Sequence, residues 1–432
     1  MFYTYIAVAA VALSSSSSSN IRETVAPPAT SWIGTVQLGV GRVGEDGALL
    51  LKPRLIYLGD HGELMLSAPL WLEVADLPPR RPGRATTREP RWLLRWDDPA
   101  TYLGWIERLA WTSSGGKVGF TVGSLAQETL GHGAIVDRFV SSLDPLRLRT
   151  GGRVDIDLGM VQASVLADSF VQPNMIGAAV RVAPLAIAGW DPERRWTLVA
   201  DAAVDPRAPS SAGRRAIGGG SVGLSAAIWR YGNMGVELFA LGGFLSKPAW
   251  GTHVGAVLEW SDDGRPHANA FSLRLEGFGA GVGYVPAYFD GAYSFERYAF
   301  PAGGRLPKAD ERRAGSLGLR ADLDARIGVA RFGITATHLG AGRPGRGAIY
   351  ARIVHPRWSA AATVMQLSVS RARDLWHGGG STYAMLEASA LVRGGLFVFA
   401  HTRHGPRWRP GGLPRPVTDW LAGVGYGARD GG

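Results

Sequence analysis

The chain has 432 residues, a formal net charge of +10, no cysteine, 60 glycines and 15 tryptophans. Lack of cysteine excludes disulfide frameworks, thiolate zinc sites and iron–sulfur clusters, and 46% apolar with 9% aromatic content excludes a disordered chain. Lysine occurs only at Lys52, Lys117, Lys247 and Lys308, so the other 42 of the 46 basic residues are arginines; they are spread along the chain rather than clustered on one patch, and no nucleic-acid partner is expected.

In chain order, Phe2 to Leu13 is a short apolar run, too short to span a bilayer but suited to the hydrophobic region of a secretory signal. Ser14 to Ser19 follow as a spacer. Residues 1–20 are therefore read as a signal-like segment and 21–432 as a single β domain. After Leu13 no run of 18 apolar residues occurs, so no transmembrane helix is expected.

The body of the chain alternates with period two. In Leu317-Gly318-Leu319-Arg320-Ala321-Asp322-Leu323-Asp324-Ala325-Arg326-Ile327, every odd position is apolar, while the even positions are glycine or charged. Successive strand side chains point to opposite faces, so one face is apolar and the other ionic. The pattern recurs in Arg153 to Leu158, in Phe271 to Glu276, and in Val254 to Trp260 with His253 and Glu259 on the polar side. Near the end, Trp420, Ala422, Val424 and Tyr426 share one face. Roughly twenty such segments can be marked, near the ~9–11 residues that a tilted strand needs to cross a bilayer.

Connections carry a second signal. Strand 268–278 is expected to turn at Gly279 to Gly281 into 282–289, before a long segment, 290–313. Strands 314–326 and 329–338 precede a loop at 339–346. Strands 347–355 and 358–370 precede a loop at 371–380. Strands 381–393 and 396–403 precede a loop at 404–416, and 417–426 is last. Short turns on one side and long loops on the other are the asymmetry of an outer-membrane barrel, whose last strand would run toward the periplasm. Residues 205–218 read instead as a connection, too long for the periplasmic turn that counting back from the end requires. Trp196, Trp229, Trp250, Trp260, Trp358, Trp376 and Trp420 fall near expected strand ends, the headgroup level that tryptophan favours.

On these segments, about residues 32–427 resemble Gram-negative outer-membrane β-barrel proteins of porin-like size. The resemblance is one of pattern, and no motif assigns a named porin family. It implies an all-β fold: a closed antiparallel transmembrane barrel of roughly 16–20 strands, with short periplasmic turns and long external loops, placed in the cell outer membrane. Outer-membrane lipid, lipopolysaccharide and the barrel-assembly machinery are the partners it implies.

Candidate site residues follow from the barrel reading. Segment 76–97 carries Arg80, Arg81 and Arg84 among prolines, a set suited to phosphate or carboxylate. Segment 126–150 mixes charged with apolar residues, as a loop folded into a polar lumen would; Arg147 and Arg149 are expected to face Asp155 and Asp157. Arg153, Asp155, Asp157, Arg274, Glu276, Arg320, Asp322, Asp324 and Arg326 are expected to line the lumen, where mixed-sign charges tune ion passage. Catalytic signals are weak. Gly219-Gly220-Ser221-Val222-Gly223 matches the hydrolase elbow string but opens a strand rather than a strand-to-helix turn, and the nine histidines show no metal-ligand spacing. No cofactor, metal or enzymatic activity is expected. The leading reading is a passive channel for small polar solutes, leaning toward anions. Its alternatives are a surface or export barrel binding polysaccharide or glycolipid, an outer-membrane lipid-modifying enzyme, and a large secreted β protein.

Overall fold

Alternation of this kind satisfies every backbone group only if the strands pair on both sides, and an open sheet of twenty would leave two bare edges. The computed structural model describes residues 31–43, 46–76, 91–92, 99–125, 127–141, 149–210, 213–246, 249–262, 269–291, 293, 297, 308, 314–328, 330–339, 343–355, 358–366, 382–407 and 415–429. Within them the sheet closes on itself as twenty antiparallel strands.

The strands are β1 (Ser31–Val43), β2 (Asp46–Gly59), β3 in two parts (Gly62–Ser67 and Leu70–Asp76) and β4 in two parts (Arg91–Trp92 and Ile106–Thr112), with the single-turn helix α1 (Pro99–Leu103) inside that interruption. Next come β5 (Val118–Gly123), β6 (Gly151–Asp157), β7 (Val161–Ala167), β8 (Ile176–Val182), the short helix α2 (Pro184–Ile187), β9 (Trp196–Ser210), β10 (Gly213–Tyr231), β11 (Met234–Leu245) and β12 (Ala249–Ser261). Then follow β13 (Ala270–Ala280), β14 (Ser316–Ile327), β15 (Ala330–Leu339), β16 (Arg343–His355), β17 (Trp358–Gln366), β18 (Thr382–Arg393), β19 (Leu396–Arg407) and β20 (Arg415–Arg429). Each pairs with its neighbour in sequence, and β20 closes the ring on β1, with Ile33 opposite Arg429 and Arg42 opposite Trp420.

The start of β1 and the end of β20 thus lie at one rim, called here the turn side. The longest connections, 77–90, 124–150, 281–315 and 367–381, all lie at the other rim, the loop side. Strands 314–326, 329–338 and 381–393 were legible to within two residues. Two expectations need correction. Residues 282–289 form no strand of the wall: after β13 the chain leaves the wall and enters the lumen. Residues 205–218 form no long connection either: β9 and β10 run through them, joined at 211–212. One correction explains the other. A spurious strand reverses the direction of everything before it, which places 205–218 at the wrong rim.

Outward positions form a continuous apolar band. Val36, Leu38 and Val40 on β1, Val154 and Ile156 on β6, Val222 and Leu224 on β10, Leu317 and Leu319 on β14, Leu386 on β18 and Val424 on β20 are all exposed. Soluble monomers rarely expose more than a few hundred Å² of contiguous apolar surface, so a band encircling the barrel is a lipid-facing surface. Trp32, Trp111, Trp196, Trp229 and Trp358 stand exposed at turn-side strand ends, with Trp260 half-buried among them, and Trp250 marks the loop-side start of β12. Trp420 lies further inside β20, and Trp376 falls outside the described residues. No described helix is long and apolar enough to cross a membrane.

Candidate functional site

A ring of twenty strands encloses more space than its own inward side chains fill. Two segments enter it from the loop side. Between β5 and β6, Leu125, Leu130, Ile135, Val136 and Phe139 are fully buried; after β13, so are Tyr284, Tyr288, Phe289 and Tyr293. The segments hold each other as a short parallel pair, Val136 beside Phe289 and Asp137 beside Asp290. The Ala287 and Phe289 amides donate to the Ala134 and Ile135 carbonyls at 2.9 and 3.0 Å. Gly133 has φ +71°, and a Cβ there would stand 2.6 Å from an Asp137 oxygen, so only glycine fits this bend. Gly251 on β12 leaves room for the Tyr284 ring, which a Cβ would meet at 2.4 Å.

Ionic contacts fix these segments to the wall from β6 to β14. Register places Arg274 opposite Asp322 and Glu276 opposite Arg320 across β13 and β14. Asp137 enters this square. It pairs with Arg320 and has Arg274 Nη1 at 3.9 Å, while Arg320 Nη1 donates to the Gly133 carbonyl at 3.3 Å. Arg320 Nε also meets Asp322 at 3.0 Å, and Arg138 Nη2 stands 3.8 Å from Asp322. Asp137, Asp322 and Glu276 thereby balance Arg138, Arg274 and Arg320, three charges against three.

Further contacts extend the attachment. Arg153 spans Glu128 and Asp155, each at 2.8 Å. His132 stacks on Phe239 at 4.5 Å and 9°, with Glu237 Oε1 at 3.2 Å and Arg181 Nη2 at 3.1 Å from its Nε2. His253 Nδ1 meets Glu276 at 2.5 Å and its Nε2 meets the Tyr284 hydroxyl at 2.8 Å. Tyr293 donates to the fully buried Asp205 at 2.7 Å, and Arg297 caps the same carboxylate at 2.9 and 3.0 Å while reaching the Arg207 carbonyl at 2.9 Å. Burial pushes the Glu128 and Asp137 carboxyls up from their usual range and holds the His132 imidazole below its own.

The opposite wall, from β15 through β20 to β4, is built differently. Lys52 and Arg54 on β2 share Glu107 of β4, with Arg54 Nε at 2.7 Å. Arg108 pairs with Glu63, Arg403 with Asp419, and Arg331 Nη2 with Asp324 at 2.9 Å. His401 Nδ1 stands 3.8 Å from Glu387. Most of these side chains keep contact with water: Glu107 is 22% exposed, Asp324 26% and Glu387 44%, against 8% for Asp137 and Asp322, whereas Arg403 and Asp419 are buried at 8% and 10%. Apolar clusters lie above and below the β2 charges, Val43, Leu50, Trp71 and Leu421 toward the loop side, and Ile56, Leu58 and Met65 toward the turn side.

Of the expected lumen residues, Arg274, Glu276, Arg320 and Asp322 come together around Asp137. Arg153 and Asp155 form a second pair, Asp324 meets Arg331, and Arg326 stands opposite Arg331 at the turn-side end of β14. Arg149 does not face Asp155 or Asp157. It pairs with Asp168 at 2.9 Å at the loop-side rim, whereas Asp157 lies at the other end of β6 and accepts from the Gly159 amide at 2.8 Å. Burial raises the Asp168 carboxyl. Arg80, Arg81, Arg84 and Arg147 lie outside the described residues. Ser221 of the elbow-like string is buried mid-strand and donates to Asp201 at 2.5 Å, with no strand-to-helix turn beside it. Sequence reasoning missed Lys52, Glu107, Asp205, Glu237, Glu387 and Arg297. Asp205 gives no sequence signal while its stretch reads as a connection, whereas Lys52 and Arg54, at i and i+2 between apolar neighbours, do carry one. Among the described residues no three metal-ligating side chains gather.

No family model matches the chain, and no curated protein does. Solved structures do. The chain is similar to the outer membrane protein OprD from Pseudomonas aeruginosa at 9% identity and TM-score 0.36, covering 93% of this chain and 94% of that one. It is similar to OccAB2 of Acinetobacter baumannii at 10% and 0.32, covering 93% and 98%, and to OpdK of Pseudomonas aeruginosa at 11% and 0.33, covering 93% and 98%. The assignment of class rests on the chain's own geometry: an even number of antiparallel strands closed without an edge and, among the described residues, an apolar exterior with aromatic ends and an ionic interior. The chain is a transmembrane β-barrel.

Proposed function

We propose that the barrel is a passive, porin-like channel for small polar solutes. The observation that carries this reading is the row of half-exposed ion pairs on the wall from β15 to β4. Charged side chains that keep 20–44% of their surface inside a closed barrel stand beside water, and a hydrated path along one wall is what a polar solute needs. Polarity along this path is mixed. Lys52 and Arg54 converge on one carboxylate, Glu107, at mid-height, a basic cluster that supports a modest preference for anions.

The test is reconstitution of the detergent-purified protein in a planar bilayer under a salt gradient. Stepwise conductance with a reversal potential displaced toward the anion is expected. A folded barrel that stays silent would exclude the channel, and displacement toward the cation would exclude the anion preference alone.

A further inference from the structure

Turn-side connections are mostly short and polar: Asp60-His61, Ser113 to Lys117, Gly232-Asn233 and Asp262 to Asn269. Two neighbours depart from this. The connection between β6 and β7 exposes Leu158 and Met160. The connection between β8 and β9 reads Pro184-Leu185-Ala186-Ile187-Ala188-Gly189-Trp190 and exposes Ile187 and Trp190. At 81%, Trp190 is the most exposed large apolar side chain among the described residues.

The patch is held in shape by backbone bonds. Ala186 of α2 is buried, so Ile187 and Trp190 are presented outward. The Trp190 amide returns to the Leu185 carbonyl at 2.8 Å past Gly189, whose φ is +80°. The Ala183 amide donates to the Met160 carbonyl at 2.9 Å and ties the two connections together. Asp191 accepts from the Trp196 amide at 3.0 Å, and the Ala227 amide donates to the Arg195 carbonyl at 2.8 Å, which joins the patch to the end of β10. There Trp229 and Tyr231 stack at 6.4 Å and 21°. Trp196, Trp229 and Tyr231 belong to the turn-side aromatic ring, so the patch continues the lipid-facing surface beyond the last rung of the sheet.

We propose that the connections 158–160 and 183–195 form a membrane-interface anchor, with Leu158, Met160, Ile187 and Trp190 seated among the headgroups and upper acyl carbons of the leaflet on the turn side. Tryptophan favours that depth because its ring is apolar while its N–H keeps a polar partner. A short helix with one apolar face lies in the interface plane rather than crossing it. Continuity with the aromatic ring points to lipid as the occupant, since the same strand ends that carry the patch already contact the bilayer. The anchor would fix the barrel's depth at one sector of its circumference, beside the strands that hold Arg153, Arg181 and Asp201. This inference rests on the barrel's place in a membrane and does not depend on conduction.

The chain's lack of cysteine makes the test direct. Single substitutions Ile187→Cys, Trp190→Cys, Asn233→Cys and Leu319→Cys are nitroxide-labelled in the full-length protein and reconstituted in vesicles of phosphatidylethanolamine and phosphatidylglycerol. Collision with oxygen is compared with collision with a water-soluble nickel chelate. Labels at 187 and 190 should favour oxygen over the chelate several-fold more than the label at 233, on a polar turn of the same rim. Chelate accessibility at 187 and 190 equal to that at 233 would overturn the anchor and leave the patch facing water, as a protein-docking surface would. Leu319, on the outward face of β14, separates the two failures: if its label also meets the chelate, the membrane reading of the barrel itself is wrong.

Discussion

Asp137 and Glu107 are both carboxylates held between two cations inside the barrel, yet they belong to unlike regions. Asp137 sits on a lumen-filling segment, 8% exposed, within a square of charges that register on β13 and β14 had already laid out. Glu107 sits on the wall itself at 22% exposure, its cations two residues apart on β2, across the intervening β3. Buried ion pairs are costly to desolvate and ruinous to break, so the Asp137 set acts as a fastening. Solvated pairs contribute little to stability and are free to act on whatever passes. The contrast teaches that an ionic lumen wall has two uses, distinguished by water rather than by residue type.

The largest expected effect comes from removing the filling on one side. Replacing 127–141 by a short Gly/Ser link should raise single-channel conductance several-fold, measured in a planar bilayer. Unchanged conductance would mean that the segment borders no part of the solute path, and the division into filled and open regions would fail.

Next in size is Asp137→Ala. It leaves Arg320 and Arg274 short of a partner within the buried square, a loss on the order of 3–5 kcal/mol for such networks. The cost should fall on the docking of 127–141 and leave the wall intact. Amide hydrogen exchange in that segment should accelerate markedly while heat-modifiable gel mobility is unchanged. Loss of the folded gel band would show that the fastening supports the barrel rather than its filling.

Glu107→Gln should cost about 1 kcal/mol or less, as a partly solvated pair does, and displace the reversal potential further toward anions by freeing Lys52 and Arg54. A shift toward cations, or a large loss of stability, would place Glu107 with the buried set.

Smallest is the effect of acid on His132. Burial holds its imidazole below 6.5, so the folded segment takes up the proton less readily than the unfolded one. Its contribution is therefore complete above pH 6.5 and declines as pH falls below that value toward the depressed folded one. Hydrogen-exchange protection of 127–141, corrected for intrinsic rates, should drop over that window, and His132→Gln should remove the drop.

How far the sequence reveals this division depends on which face a residue occupies. Arg320 and Asp322 are legible as inward because Leu317, Leu319, Leu323 and Ile327 alternate with them, and lipid on the outer face enforces that alternation along β14. Nothing enforces it inside the lumen. Val282 to Phe289 is an apolar run that looks like a strand, but its Tyr284, Tyr288 and Phe289 are buried on an irregular path with Gly283 and Ala287 at positive φ. Asp137 likewise gave no sign of its partners, since the contact joins residues about 180 positions apart in sequence through a loop that follows no period.

The most direct test of a hydrated path along the open wall is current block at Glu387, the most exposed of its paired charges. Glu387→Cys in the otherwise cysteine-free protein is reconstituted in a planar bilayer and treated with a bulky, water-soluble thiosulfonate. The account predicts stepwise conductance that falls on modification, with Ala134→Cys, on the buried filling, left untouched by the same reagent. Conductance that persists unchanged after quantitative labelling at 387, or a folded barrel in which 387 cannot be labelled, would contradict it.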